Sequence, residues 1–152
     1  MHRHVLLATG VFLAVALPAV AEPTGRWWSG WGQGTAEYGF SAANGDKVYI
    51  ACDEGSGFGT TVSFAIEGTG PEPGETVTVR TDLTAFDFPV DDSGRLETAS
   101  RAGNENFLAL WDAIRRGAVL SIGFGGRTAT FPLAGSTRML APEACETDFA
   151  RP

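Results

Sequence analysis

The chain has 152 residues, 43% of them hydrophobic, with 18 acidic against 11 basic side chains and a net charge of −7. That size suits one domain, and the acidic balance is repelled by phosphate backbones and anionic lipid, so nucleic-acid binding is not expected. The only histidines are His2 and His4.

In chain order, Met1-His2-Arg3-His4 is a short basic start, residues 5–20 are mostly apolar, and Ala19-Val20-Ala21 precedes Glu22. A basic start, an apolar centre and an A-x-A end are the parts of a cleavable secretory signal. The apolar run is shorter than the roughly 20 residues a spanning helix needs. The expectation is therefore a signal peptide over 1–21 and a single β-rich domain over 22–152, periplasmic or secreted, with no membrane span in the mature chain. Both histidines and Arg3 leave with the signal, so the mature chain keeps 18 acids and 10 bases, net −8, and no histidine. Its loss removes Ser-His-Asp and Cys-His nucleophiles, histidine acid–base chemistry and most zinc or copper sites. No cofactor is expected.

Residues 26–34, Arg-Trp-Trp-Ser-Gly-Trp-Gly-Gln-Gly, place Trp27, Trp28 and Trp31 on a glycine-rich frame ahead of the first expected strand. Aromatic side chains on such a frame either fill a partner's pocket or stack on sugars, or fold back to plug an open end of the domain. These three tryptophans are the binding candidates. Residues 35–53 read as a hairpin: Tyr38 and Phe40 alternate with smaller residues, Asn44-Gly45 turns, and Val48, Ile50 and Cys52 alternate on the return. Gly55, Gly57 and Gly59 form a loop leading into a strand marked by Val62, Phe64 and Ile66; it opens no helix and so lacks the form of a phosphate cradle.

A Gly/Pro loop over 68–74 precedes strands at 76–80 and 84–90, a turn at Asp91-Asp92-Ser93-Gly94, and a return strand at 95–100. Phe107, Leu110, Trp111 and Ile114 fall on one helical face between Asn104, the expected N-cap, and Gly117. Strands at 119–124 and 128–133 and a short helical turn near 138–140 complete the chain. The fold class expected is mainly β: a small antiparallel β-sandwich or open barrel with one amphipathic helix and a short C-terminal helical turn.

Cys52 and Cys145 read as a disulfide, since an even pair in an oxidising compartment bridges, and two cysteines without histidine make a poor metal site. Asp82, Asp87, Asp91 and Asp92 are the carboxylates from which a glycan-acting hydrolase would be built, and Asp91-Asp92 or Asp53-Glu54 are the oxygen pairs for calcium. Against this, acids in loops keep an acidic protein in solution. Arg115, Arg116 and Arg138 either grip an acidic ligand or, for the first two, complement the helix end.

The run Phe107-Leu108-Ala109-Leu110-Trp111, then Gly117-Ala118-Val119-Leu120-Ser121-Ile122-Gly123-Phe124, then Phe131-Pro132-Leu133-Ala134-Gly135-Ser136 resembles exported bacterial proteins of the invasion-associated locus B type. The resemblance implies a small β-sandwich-like domain outside the cytoplasm and carries over no catalytic residue. The function expected is an exported non-catalytic envelope protein, a protein-binding or inhibitor-like module for a cationic envelope or extracellular protein. The alternatives are a carboxylate-based glycan hydrolase and a structural envelope component.

Overall fold

Period-two alternation builds most of the molecule. In the computed structural model, which describes residues 22–151, Ala36, Tyr38 and Phe40 of β2 (Thr35–Ser41) face the same side as Val48, Ile50 and Cys52 of β3 (Lys47–Asp53) and Val62 and Phe64 of β4 (Thr61–Ala65). With β1 (Trp27–Gly32) at one edge these strands form an antiparallel sheet in the order β1-β2-β3-β4. The expected signal segment, 1–21, lies outside the described residues.

The second sheet holds β5 (Thr76–Thr81), β6 (Ala85–Pro89), β7 (Val119–Phe124) and β8 (Arg127–Pro132) in the order β6-β5-β7-β8, again antiparallel. Among its inward residues Val77, Val79, Phe88, Leu120, Ile122 and Phe131 are fully buried. The two apolar faces meet as a sandwich. β6 and β7 both run antiparallel to β5, which lies between them, so they are parallel to each other. Parallel strands of one sheet need a long crossover connection, and α1 (Arg101–Arg116) supplies it. Phe107, Leu110, Trp111 and Ile114 are buried, and Trp111 meets Tyr38 of the first sheet edge-on at 5.1 Å. The helix thus belongs to the shared core.

Two expectations need correction. The helix begins three residues before Asn104: Ser100 is the N-cap, its Oγ accepting from the Gly103 N–H at 3.0 Å. Asn104 instead sits on the second turn, where its Oδ1 accepts from Thr147 Oγ1 at 2.6 Å. The return strand at 95–100 does not form; only Leu96 bridges to Val90, and its N–H donates to Val62 O at 2.9 Å. That segment lies across the β4 edge instead of extending the sheet, because Thr98 Oγ1 also donates to Thr60 O.

After β8, Gly135 adopts φ 90° and opens α2 (Ser136–Met139), whose Ser136 Oγ donates to Ile114 O at 2.6 Å. The remaining tail is held by the Cys52–Cys145 disulfide, with the two Cα atoms 5.7 Å apart, and by Thr60 Oγ1 donating to Glu146 O. No helix among the described residues is long and apolar enough to cross a membrane.

Candidate functional site

The tryptophan segment is a strand, not a flexible frame. Gln33 and Gly34 both take positive φ, 52° and 76°, which makes a two-residue type I′ turn whose twist suits a hairpin. β1 pairs with β2 from Trp27↔Phe40 to Gly32↔Thr35. Alternation then sends Trp27, Ser29 and Trp31 to the sandwich face and Trp28 and Gly30 to the outer face.

The three tryptophans consequently do three different jobs. Trp27 is 3% exposed, stacks near Phe40, and donates from Nε1 to Pro132 O at 2.8 Å, tying the first sheet to the end of β8. It closes the open end of the sandwich. Trp28 is buried on the outer face, beside Tyr49 and over Gly39. Trp31 lies beyond the core on the inner face, 69% exposed, its Nε1 donating to Glu54 Oε2 at 3.1 Å. The segment therefore does not present all three rings together. The alternating register of W-S-W at 27, 29 and 31 was the signal that this is a strand; its glycines obscured it.

β1 is also an edge. Gly32 and Thr35 flank a two-residue turn and so form a hydrogen-bonded pair; by alternation the N–H and C=O groups of Trp27, Ser29 and Trp31 point away from β2. Among the described residues none of these six groups has a hydrogen-bond partner. The other edges are each partly engaged. Leu96 N–H donates to Val62 O of β4 and Thr98 Oγ1 to Thr60 O just before it; Asn106 Nδ2 donates to Asp87 O of β6; β8 ends in Pro132, which has no N–H and whose carbonyl takes Trp27.

The free edge borders a cavity of about 380 Å³ that Arg26, Ala134, Gly135, Arg138 and Met139 also line. On the inner side a wider groove of about 630 Å³ runs between Trp31 and Tyr38 and the segment from Thr137 to Pro142. On the outer side a hollow of about 440 Å³ lies among Trp28, Gly30, Trp31 and Glu37. Glu37 is engaged there, accepting from Tyr49 Oη at 2.5 Å, and burial together with this bond pushes the Tyr49 hydroxyl well above its ordinary pKa. Arg26 and Arg138 are exposed and unpaired among the described residues.

The glycine loop is filled from within. Asp53 accepts from Gly55 N at 2.9 Å, Ser56 Oγ at 2.9 Å, Gly57 N at 3.1 Å and Gly59 N at 3.2 Å, and pairs with Arg151. Its side chain is 2% exposed. The Gly55 amide above all, with Ser56, Gly57 and Arg151, holds this carboxyl far below the usual aspartate range despite its burial. Its oxygens are committed to fastening the loop and the tail, which leaves little of the oxygen pair Asp53-Glu54 for calcium; Glu54 serves Trp31.

The aspartate group is spread out. Asp82 accepts from Ala118 N at 2.8 Å, tying the turn before β6 to the turn after α1. Asp87 lies mid-β6 beside Thr78 Oγ1. Asp91 caps its own turn through Ser93 and Arg95. β6 itself separates Asp82 from Asp91 and Asp92, about 17 Å of strand against the roughly 5–10 Å that glycoside hydrolysis requires. No group of three or more His, Cys, Asp and Glu able to hold a metal occurs among the described residues. Arg115 donates to Pro142 O and Arg116 pairs with Asp112, so both fasten the helix end.

Compared with known families, residues 25–140 match the YfjT family model, which spans every element from β1 to α2. No curated protein and no solved structure matches the chain.

Proposed function

We propose that this chain, which belongs to the YfjT family, is an exported, non-catalytic module that works by holding another protein. The observation that carries this reading is Trp31: a large indole, 69% exposed, fixed by Glu54 and set at the open edge of β1 between grooves. An exposed aromatic ring that is already oriented loses little freedom on contact, which is the character of an interface anchor. The rigid sandwich behind it supports the same reading.

Export is supported by the basic start, apolar run and A-x-A sequence at the N-terminus, and by a disulfide of the kind that oxidising compartments maintain. The acidic surface favours a basic partner, because opposite charge accelerates encounter. The test is a pull-down from envelope extract of the source cells, with the exported chain as bait beside its Trp31→Ala variant. A specific partner held by the first and lost by the second supports the reading. Absence of any specific partner at low and moderate salt sinks it and turns attention to glycans and the aspartates.

A further inference from the structure

Resting on that reading, we infer that the partner docks as an extended segment, added antiparallel to the free edge of β1, with an acidic side chain seated between Arg26 and Arg138. Two independent observations meet here. The first is the row of six backbone groups on Trp27, Ser29 and Trp31 that nothing else in the described residues satisfies, exposed at Ser29 and Trp31, while each of the other three sheet edges carries at least one bond from a neighbouring segment. An exposed row of alternating N–H and C=O groups is a template for one more strand. The cavity of about 380 Å³ beside it is bounded by the edge on one side and by Ala134–Met139 on the other, which suits a single chain in cross-section.

The second observation is charge. Of the ten basic side chains in residues 22–151, seven are engaged by a carboxylate, a carbonyl or an aromatic ring. The three without such a partner among the described residues are Arg26, Arg80 and Arg138, and two of these line this one cavity. Two unpaired guanidinium groups lining one cavity suit recognition of a carboxylate by charge-assisted hydrogen bonds. Alternate side chains of the added strand would lie toward Trp28 on the outer face and toward Trp31, Tyr38 and Met139 on the inner one. Net charge steers a basic partner from a distance, whereas the arginine pair sets the register of the bound strand.

The experiment selects random nine-residue peptides displayed on phage against the exported chain, then measures synthetic, C-terminally amidated versions of the enriched peptides. The expected result is a family of alternating sequences with Asp or Glu at one register position. Binding should slow exchange of the Trp27, Ser29 and Trp31 amides by NMR. Ser29→Pro removes an edge donor and is expected to weaken binding by about tenfold or more. Should that variant fold poorly by circular dichroism, the Arg26→Glu/Arg138→Glu double variant tests the bound strand through its acidic side chain without touching the backbone, with a loss of about tenfold or more expected. The inference is overturned if no peptide is enriched, if enriched peptides bind both variants as well as the parent, or if only peptides with a free C-terminal carboxylate bind. It is overturned likewise if sedimentation shows a dimer of the chain that Ser29→Pro abolishes, which would make a second copy the occupant. A protein captured in the Trp31-dependent pull-down alongside any of these failures would leave the binding-module reading standing and remove only the strand-addition mode.

Discussion

Trp28 sits directly on Gly39, its neighbour across the β1–β2 ladder: a Cβ placed on Gly39 would come within 2.8 Å of Trp28 Cζ2 and of Val48 O. The absence of a side chain at that one position lets an indole lie down on the outer face of a sheet. It also brings Trp28 beside Tyr49, ring centroids 6.3 Å apart, so that the outer wall of the β1 edge is rigid.

Gly39→Ala should therefore lift Trp28 off the sheet. The expected outcome is a loss of about 1–3 kcal/mol of stability, as for an overpacked site, with a red shift of tryptophan emission. Urea titration followed by fluorescence checks both.

The three tryptophans should separate cleanly under alanine substitution. Trp27→Ala removes a buried ring and its bond to Pro132 O, and should cost about 3–5 kcal/mol. Trp31→Ala removes a ring that is mostly in solvent, and should change stability by no more than about 0.5 kcal/mol. Chemical denaturation of both variants tests the division between plug and anchor; equal losses would contradict it.

The Cys52–Cys145 bridge spans 93 residues and fastens the tail to β3. Chain-entropy arguments give about 4–5 kcal/mol for a loop of that length. Denaturation with and without reductant should show a loss of that order, and intact-mass analysis of the protein purified from its source cells should find no free thiol and an N-terminus at Glu22.

Acid stability should be governed in good part by Asp53. Its folded-state pKa lies below the ordinary value of 3.8, chiefly through the Gly55 amide and then Ser56, Gly57 and Arg151. The stabilisation is complete above 3.8 and is lost as the pH falls from there toward the folded-state value. Asp53→Asn should thus be less stable than the parent at neutral pH, with the gap closing below about pH 4. With no histidine in residues 22–152, the parent should show nearly constant stability from about pH 5 to 8. Thermal unfolding across pH distinguishes these outcomes.

Periodicity made much of this legible in one dimension. Alternating apolar residues at 38–40, 48–52, 62–66 and 77–79 can bury only one face of a strand, and the spacing of Phe107, Leu110, Trp111 and Ile114 can bury only one face of a helix. Strand, helix and sandwich class therefore follow from local pattern, and the cysteine pair from compartment chemistry. The start of the helix did not: both Ser100 and Asn104 are competent caps, and the choice depended on where Glu97, Gly103 and the tail residue Thr147 came to lie.

The candidate site was less legible, for a related reason. Trp27, Trp28 and Trp31 are chemically alike, and nothing in their own neighbourhood says which will be covered. Burial of Trp27 depended on Pro132 and burial of Trp28 on Gly39, residues 105 and 11 positions away, while Trp31 found neither kind of partner. Likewise, Arg26 and Arg138 share a cavity only because the end of β8 returns past β1. Local pattern fixes which face each side chain takes; contacts between distant segments fix which of those faces stay open to a partner.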